Sequence, residues 1–327
     1  MYRTLTRLRS PFEPSLTDVG AFLDRTAQEL ASRNNVANAM DHLSDGLWWL
    51  RRLSIPQQWS EVVAQVSAHP LLQMVHEDPF THRSFSKPRG YAGDAVLVDL
   101  MYYDRGFADL ASVSELGRAI FERNKNTPAP ASVRARRDLM AEHIDAVCAE
   151  KANAAILAVA CGHLREASAS ESIARQQFGR FVALDQDAES LAIVKDQYAK
   201  QGVEIDQRKI RALFAGAYKP RSFDLIYAAG LYDYLDDRVA TRLTTVLFEL
   251  LKPGGRLVLG NFVPDIYDVG YMEACMGWFL IYRNLGQLEL LANEIARGEI
   301  SLKRLFTLPH SDVGYLELRR RSGSSWT

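Results

Sequence analysis

Cysteine is scarce in this chain. Three residues, Cys148, Cys161 and Cys275, are scattered over 327 positions with no paired spacing. Such scatter excludes a disulfide framework and a cysteine-based zinc site, and it suits a reducing compartment. An excess of either charge is lacking too. A formal net charge of −1 gives no electrostatic basis for holding nucleic acid or an anionic membrane surface. The dense basic run Arg319-Arg320-Arg321 leads into a Gly/Ser tail and reads as a solvated terminus. No apolar run approaches the roughly 18 residues of a membrane-spanning helix. Where a signal peptide would carry its apolar segment, Pro11, Glu13 and Pro14 intervene, so a cytoplasmic location is expected. No internal repeat is found.

Glycine is missing where a nucleotide fold usually concentrates it. Residues Ala155 to Val159 form a short apolar run that ends in the turn Ala160-Cys161-Gly162-His163. A helix-compatible segment follows, and a second apolar run, Phe181 to Leu184, closes on Asp185. This order is that of one nucleotide-binding βαβ unit, with an acid placed to accept hydrogen bonds from ribose hydroxyls. Gly162 and Asp185 are 185 − 162 = 23 residues apart, close to the roughly 20 of such units. Only Gly162 survives of the glycine fingerprint, and Ala160 stands where the first glycine would be. A pyrophosphate needs several close backbone amides, so a ligand with one adenosine and no phosphate fits better than a dinucleotide. An ordinary buried βαβ with a chance acid at a strand end is the plain alternative.

A hydrophobic content of 47% supports a substantial core, in one large or two modest domains. Residues 1 to 14 read as an irregular arm. Helical spacing runs from Ser15, with Asp18 three residues on, to about Leu53, then from Pro56, and again over Leu71 to His76. The stretch from His76 to Asp94 holds prolines, glycines, aromatics and both charge signs, and is read as an irregular ligand-contacting loop, or as a connection in which Asp94 caps the next helix. Residues 95 to 151 are again helical, broken at Thr127-Pro128-Ala129-Pro130, so a domain boundary is expected between 125 and 150. Beyond Asp185 come a helix from Ala188 to Gln201, a strand from Val203 to Asp206, a strand from Ser222 to Ala229 and a helix from Asp236 to Leu251. Lys252-Pro253-Gly254-Gly255 is read as a sharp stop before a fifth strand, Arg256 to Gly260. Tyr267 to Leu291 reads as mostly helical, and Ile300 to Leu308 with Gly314 to Leu318 as an antiparallel edge pair. The fold class is therefore α/β, a doubly wound sheet closed by a terminal hairpin.

Three segments, LAVACGHLRE with ALDQD, FDLIYAAGLYDYL and LFELLKPGGRLVLGNF, resemble the class I S-adenosylmethionine-dependent methyltransferases over residues 135 to 320. SKPRGYAGD, GLYDYL and WFLIYR further resemble a bacterial subgroup that includes the synthases of 3-hydroxy fatty acid methyl esters used as extracellular factors. The resemblance implies a mostly parallel, seven-stranded Rossmann-like sheet in residues 131–327 and a helical lid or substrate-binding domain in residues 1–130. It implies S-adenosyl-L-methionine as cofactor, a small-molecule acceptor and a role in secondary metabolism, and it leaves a homodimer open. Ala160, Cys161 and Gly162 would underlie the methionine part and the ribose. Asp185 would bind the ribose hydroxyls, Gln186 would flank the adenine, and Gly230 would line the methionine end. Arg89 and Tyr91 would close over the cofactor. The chain departs from the family at Ala158, where many members carry an acid, and after the third strand, where no acid for the adenine amino group is evident.

Methyl transfer from a sulfonium is an in-line displacement whose main requirement is alignment in a dry site. A carboxylate acceptor needs no base, whereas an amine or hydroxyl does. Asp233 and Tyr232, after the fourth strand, are the candidate base or orienting groups, with helix capping as the plain role for Asp233. Arg283 is the candidate partner of a substrate carboxylate, or a surface arginine at a helix end. Carboxyl O-methylation of an acidic, hydroxy-acyl metabolite is the leading expectation, and N- or O-methylation of an amine or hydroxyl is the alternative. A non-catalytic module that senses the cofactor is the reading from another class, and a nicotinamide dehydrogenase trails all of these. His76, Glu77, Asp78 and His82 suggest metal ligands by type, but no helical His-x-x-x-His spacing supports a site, and no metal is expected.

Overall fold

A computed structural model describes residues 16–102 and 112–322; the expected N-terminal arm and Ser15 lie outside them. The described chain divides into two compact units. The first comprises residues up to Val133 together with Asp265–Phe279, and the second Arg134–Pro264 and Leu280 onward.

In the first unit, the long helical pattern resolves into α1 (Val19–Ser32) and α2 (Val36–Leu53), separated where Arg33 turns left-handed at φ 54°. Their buried stripes carry Phe22, Leu23 and Leu30, and Met40, Leu43, Leu47 and Leu50. α3 (Pro56–Ala68) and α4 (Leu71–Val75) follow. The stretch expected to be irregular contains a helix, α5 (Pro79–Ser86). Pro79 starts this helix rather than breaking it, because at the first helical position its missing N–H would have had no partner. Asp78 supplies the cap, accepting from the N–H groups of Phe80 and Thr81. Asp94 caps α6 (Ala95–Tyr102) through Leu97 and is held by two hydrogen bonds from Arg83, at 2.9 and 2.8 Å. α7 (Glu115–Asn124) completes the run, and α8 (Pro128–Glu150) starts in this unit and continues from Arg134 as part of the second. The expected break at Pro128-Ala129-Pro130 is the first turn of α8, for the same reason that Pro79 opens α5.

The second unit is built on β1 (Ala155–Val159), β2 (Arg180–Asp185), β3 (Val203–Gln207), β4 (Phe223–Ala228), β5 (Leu251–Phe262), β6 (Ile300–Thr307) and β7 (Val313–Arg320). They form one seven-stranded sheet in the order β3-β2-β1-β4-β5-β7-β6. The first five of these are parallel, and β7 runs antiparallel to both of its neighbours. Every residue of β1 and β4 is buried, as central parallel strands require. Leu157, Ile226, Leu257 and Leu259 share one core with Leu243 and Leu247 of α12 (Asp237–Glu249). Between β1 and β2 the expected helix is broken into a 3-10 turn, Arg165–Ala169, and α9 (Glu171–Ala174), because Ser170 starts a new cap on the N–H of Ile173. α10 (Ala188–Tyr198) stops as expected before Gly202, at φ 91°. α11 (Arg211–Phe214) precedes β4.

One further expectation needs correction. The Pro-Gly-Gly run lies within β5: Phe223 pairs with Leu251 and Leu225 with Arg256, so Lys252 to Gly255 form a bulge instead of a stop. Residues 267–291 are helical at 13 of 25 positions, in two short pieces, α13 (Val269–Cys275) and α14 (Leu285–Leu290), with Gly277 at φ 57° turning the chain between them.

The bulge is tightly built. A Cβ on Gly255 would lie 2.9 Å from the carbonyl of Lys252 and 3.0 Å from that of Phe223. Gly255→Ala is expected to destabilise by about 1–3 kcal/mol, the usual cost of overpacking. Gly20, exposed on α1, has open space around it, and Gly20→Ala should stabilise by up to about 1 kcal/mol through helix propensity. Denaturant midpoints of the two variants should therefore move in opposite directions.

Candidate active site

The exits of β1 and β2 lie side by side, with Val159 paired to Leu184. The chain leaves β1 through three left-handed residues, Ala160, Gly162 and Leu164, at φ 53°, 53° and 51°. Glycine takes this conformation freely, while for alanine and leucine it costs roughly 1–2 kcal/mol each. Asp185 holds the turn in place. Its Oδ2 accepts from the Gly162 N–H at 2.8 Å and its Oδ1 from the Asp187 N–H at 2.9 Å. Cys161 donates its N–H to the Leu184 carbonyl at 3.1 Å. Burial raises the Asp185 pKa, and these backbone bonds act against the rise. A carboxylate has about four acceptor positions; two are used here, and the others can receive hydroxyls. Gln186, next in the chain, is exposed. At the end of β3, Asp206 accepts from the Tyr218 hydroxyl at 2.5 Å and pairs with Arg208 at 2.9 Å, so it is already engaged.

The exit of β4 is pinned differently. Asp233 is 3% exposed. Its Oδ1 accepts from the Phe262 N–H at 2.7 Å, and its backbone carbonyl from the Ile281 N–H at 2.8 Å. The helix-capping role weighed for it belongs to Asp236, which accepts from the Val239 N–H. Burial pushes the Asp233 carboxyl up to about 7, against the pull of Arg136, the Phe262 N–H and Arg283. The Tyr232 ring is fully buried, with its hydroxyl 3.0 Å from that of Thr244, and burial raises its pKa far above the usual phenol range.

Arg283 is placed unlike either expectation. It is 1% exposed, and its donors reach the Tyr232 and Leu235 carbonyls, Asn261 Oδ1 and Asp237 Oδ1, at 2.5 to 2.9 Å. Nε gives one bond and each terminal nitrogen two, which uses all five N–H groups of a guanidinium. Arg283 therefore fastens the turn after β4 and has no donor left for a substrate.

Two residues not singled out in the sequence meet at the same place. Arg136, on α8, is 6% exposed, and its Nη1 lies 3.8 Å from Asp233 Oδ2. A Cβ on Gly230 would come within 3.3 Å of its guanidinium, so the glycine after β4 makes room for it. Glu166 is buried and accepts from the Tyr227 hydroxyl at 2.6 Å; burial raises its pKa, and Arg136 and Arg137 lower it. A sequence signal for Arg136 did exist. Val133, Arg136, Met140, Ile144 and Val147 recur at three- and four-residue spacing, and all five are buried, which puts a cation on the apolar stripe.

Arg89 and Tyr91, each half-buried, belong to the first unit, in the turn between α5 and α6. Of the suggested metal ligands there, Asp78 joins a buried network with Thr81, Asn124 and Tyr271. His76 Nε2 lies 2.9 Å from the Cys275 carbonyl, and Glu77 accepts from the Ser114 hydroxyl. Among the described residues no group of three or more His, Cys, Asp or Glu is placed to hold a metal ion, and no helix is long and apolar enough to cross a membrane.

With this geometry in place, residues 156–255 match a family described as "Methyltransferase domain". They span β1 to the bulge of β5, including the Asp185 turn and the exit of β4. The chain therefore carries a methyltransferase domain over these residues. No curated protein sequence matches the chain. Among solved structures, a Bordetella parapertussis protein described as a possible exported protein is similar at 16% identity, covering 96% of this chain and 100% of its own, with a TM-score of 0.60. That likeness establishes a shared fold. A putative methyltransferase from Thermobifida fusca is similar at 16% identity, 70% and 94% coverage and TM-score 0.49. The N-methyltransferase NodS of Bradyrhizobium japonicum, solved with S-adenosylhomocysteine, is similar at 14% identity, 57% and 87% coverage and TM-score 0.40.

Two outcomes follow from the β4 exit. Arg283→Ala should lower stability by at least about 2 kcal/mol, because it strips donors from buried carbonyls; a selective rise in an acceptor KM with unchanged thermal stability would contradict this. Asp233 has a folded pKa raised from 3.8 to about 7. Its contribution to stability is thus fully present below pH 4 and lost as pH rises through 7. Asp233→Asn should flatten that decline, on the order of a few kcal/mol, in stability measured from pH 4 to 8.

Proposed function

We propose that this methyltransferase transfers the methyl group of S-adenosylmethionine to a small molecule, and that the acceptor atom is a carboxylate oxygen of an acidic metabolite. The state of the candidate bases supports this reading. The Tyr232 hydroxyl is buried against Thr244 with a raised pKa, and one oxygen of Asp233 is bound to the Phe262 N–H. An acceptor that is already anionic asks for no proton removal, only alignment and exclusion of water. On the donor side, Ala160, Cys161 and Gly162 underlie the methionine part and ribose. Asp185 takes the ribose hydroxyls on its remaining acceptor positions, Gln186 flanks the adenine, and Gly230 lines the methionine end. Bound there, S-adenosylmethionine would supply an electrophilic methyl group, its S–C bond breaking as the O–C bond to the acceptor forms, with S-adenosylhomocysteine as the leaving group.

One observation favours a second reading, N- or O-methylation of an amine or hydroxyl: the Asp233 carboxyl, at about 7, is poised as a general base. The pH–rate profile separates the two. A carboxylate acceptor gives a flat profile between about pH 6 and 9, whereas a base-dependent acceptor gives a rate that rises through about pH 7.

Calorimetric titration with S-adenosylmethionine and S-adenosylhomocysteine tests the donor assignments. Asp185→Ala should weaken both by at least about tenfold, or about 1.4 kcal/mol. Equal affinity in wild type and variant would remove the ribose role of Asp185.

A further inference from the structure

Arg136 presents an imbalance that the turn after β4 does not resolve. Its Nε and Nη1 are buried and make no hydrogen bond among the described residues. Buried guanidinium donors are normally satisfied, and one left unpaired calls for an explanation. The nearest carboxylate, Asp233, is an ion pair at 3.8 Å, beyond hydrogen-bond reach, and its Oδ1 is turned to the Phe262 N–H. Glu166 is turned to the Tyr227 hydroxyl. Burial shifts both acids toward their neutral forms, which leaves the charge of Arg136 incompletely balanced.

The surroundings are shaped for a small anion. Gly230 and Gly260 each lack the Cβ that would approach the Arg136 side chain to 3.3–3.5 Å. The Phe262 ring centroid lies 6.0 Å from the guanidinium carbon, and Tyr315 is buried nearby, where burial pushes its phenol up to about 12 and Arg136 acts against the rise. Gly230 follows β4 and Gly260 lies on β5, so the free donors sit at the carboxyl edge of parallel strands, where ligands of doubly wound sheets bind.

We propose that Arg136 is a carboxylate receptor: its unpaired N–H groups take the oxygens of a ligand carboxylate at the exit of β4. The proposal rests on the reading of this unit as an S-adenosylmethionine-dependent methyltransferase. Two sources carry the required group, the methionine carboxylate of the cofactor and the carboxylate of the acceptor. Charge-assisted bonds from a guanidinium to a carboxylate recognise either one.

The test follows the Arg136 Nε–H resonance of the full chain by NMR, assigned by its loss in Arg136→Lys. The probes are S-adenosylhomocysteine, its decarboxylated analogue, and hexanoate or 1-hexanol added to the S-adenosylhomocysteine complex. A shift with S-adenosylhomocysteine but not with the analogue supports the proposal and assigns the carboxylate to the cofactor. Calorimetry should then show at least tenfold discrimination between these two probes, erased in Arg136→Gln. A shift with hexanoate but not hexanol supports the proposal and assigns the receptor to the acceptor. A resonance that moves with none of the carboxylates overturns it. If Arg136→Gln does not fold, Arg136→Lys and the wild-type spectra still decide between these outcomes. The functional reading fails separately. Hexanoate held by Arg136 with no methyl transfer to any carboxylate tried removes carboxyl O-methylation and leaves the receptor standing, while cofactor binding untouched by Asp185→Ala removes the ribose clamp alone.

Discussion

The carboxylate of Asp224 ties together the amino ends of three parallel strands. From the start of β4 it accepts the first N–H of β1, at Ala155, and bonds to Lys151 before that strand and Lys252 in the bulge of β5. The two lysines and the amide hold its pKa below the ordinary range despite burial. Parallel strands lack tight hairpins to set their register, so a shared anion at one end is an economical way to fix it. With the amino ends tied, the carboxyl ends are free to diverge into turns. Those turns carry Asp185, Gly230, Asp233 and the face met by Arg136.

The two turns solve one problem in different ways. After β1, backbone amides converge on a single acid, and the resulting knot leaves acceptor positions for hydroxyl groups. After β4, a buried arginine gathers carbonyls, and a buried acid gathers amides. The first arrangement offers hydrogen-bond acceptors. The second brings a cation and a raised carboxyl into a dry space, where electrostatic effects are stronger than in water.

The central sheet was legible because strands buried on both faces read as unbroken apolar runs; β1 was placed to the residue, and β2 and β4 to within one. The acid at the end of β2 was legible for the same reason, since its position follows from where the run stops. Prolines misled twice, at Pro79 and Pro128, because the same residue that ends a helix also starts one and only the cap before it distinguishes the cases. The β5 bulge was hidden because Pro-Gly-Gly is turn chemistry wherever it occurs, and only the register with β4 shows the strand continuing past it. Arg283 and Arg136 show a further limit. An arginine carries no local mark of burial, so one whose donors are all used and one with donors to spare look alike until their neighbours are known. Arg136 left the better trace, through its place on the apolar stripe of α8.

The return of Asp265–Phe279 to the first unit has a practical bearing on how the protein can be divided. Trp59 Nε1 donates to Glu273, Asn124 Nδ2 reaches the Tyr271 hydroxyl, and the Ala129 N–H reaches Asp268. A fragment ending at Val133 would strand all three donors, and a fragment beginning at Arg134 would carry fifteen residues from Asp265 to Phe279 with no scaffold of their own. Chimaeras that graft the N-terminal helices onto another catalytic sheet therefore need two junctions exchanged together. Shuffling by a single crossover would yield orphaned halves.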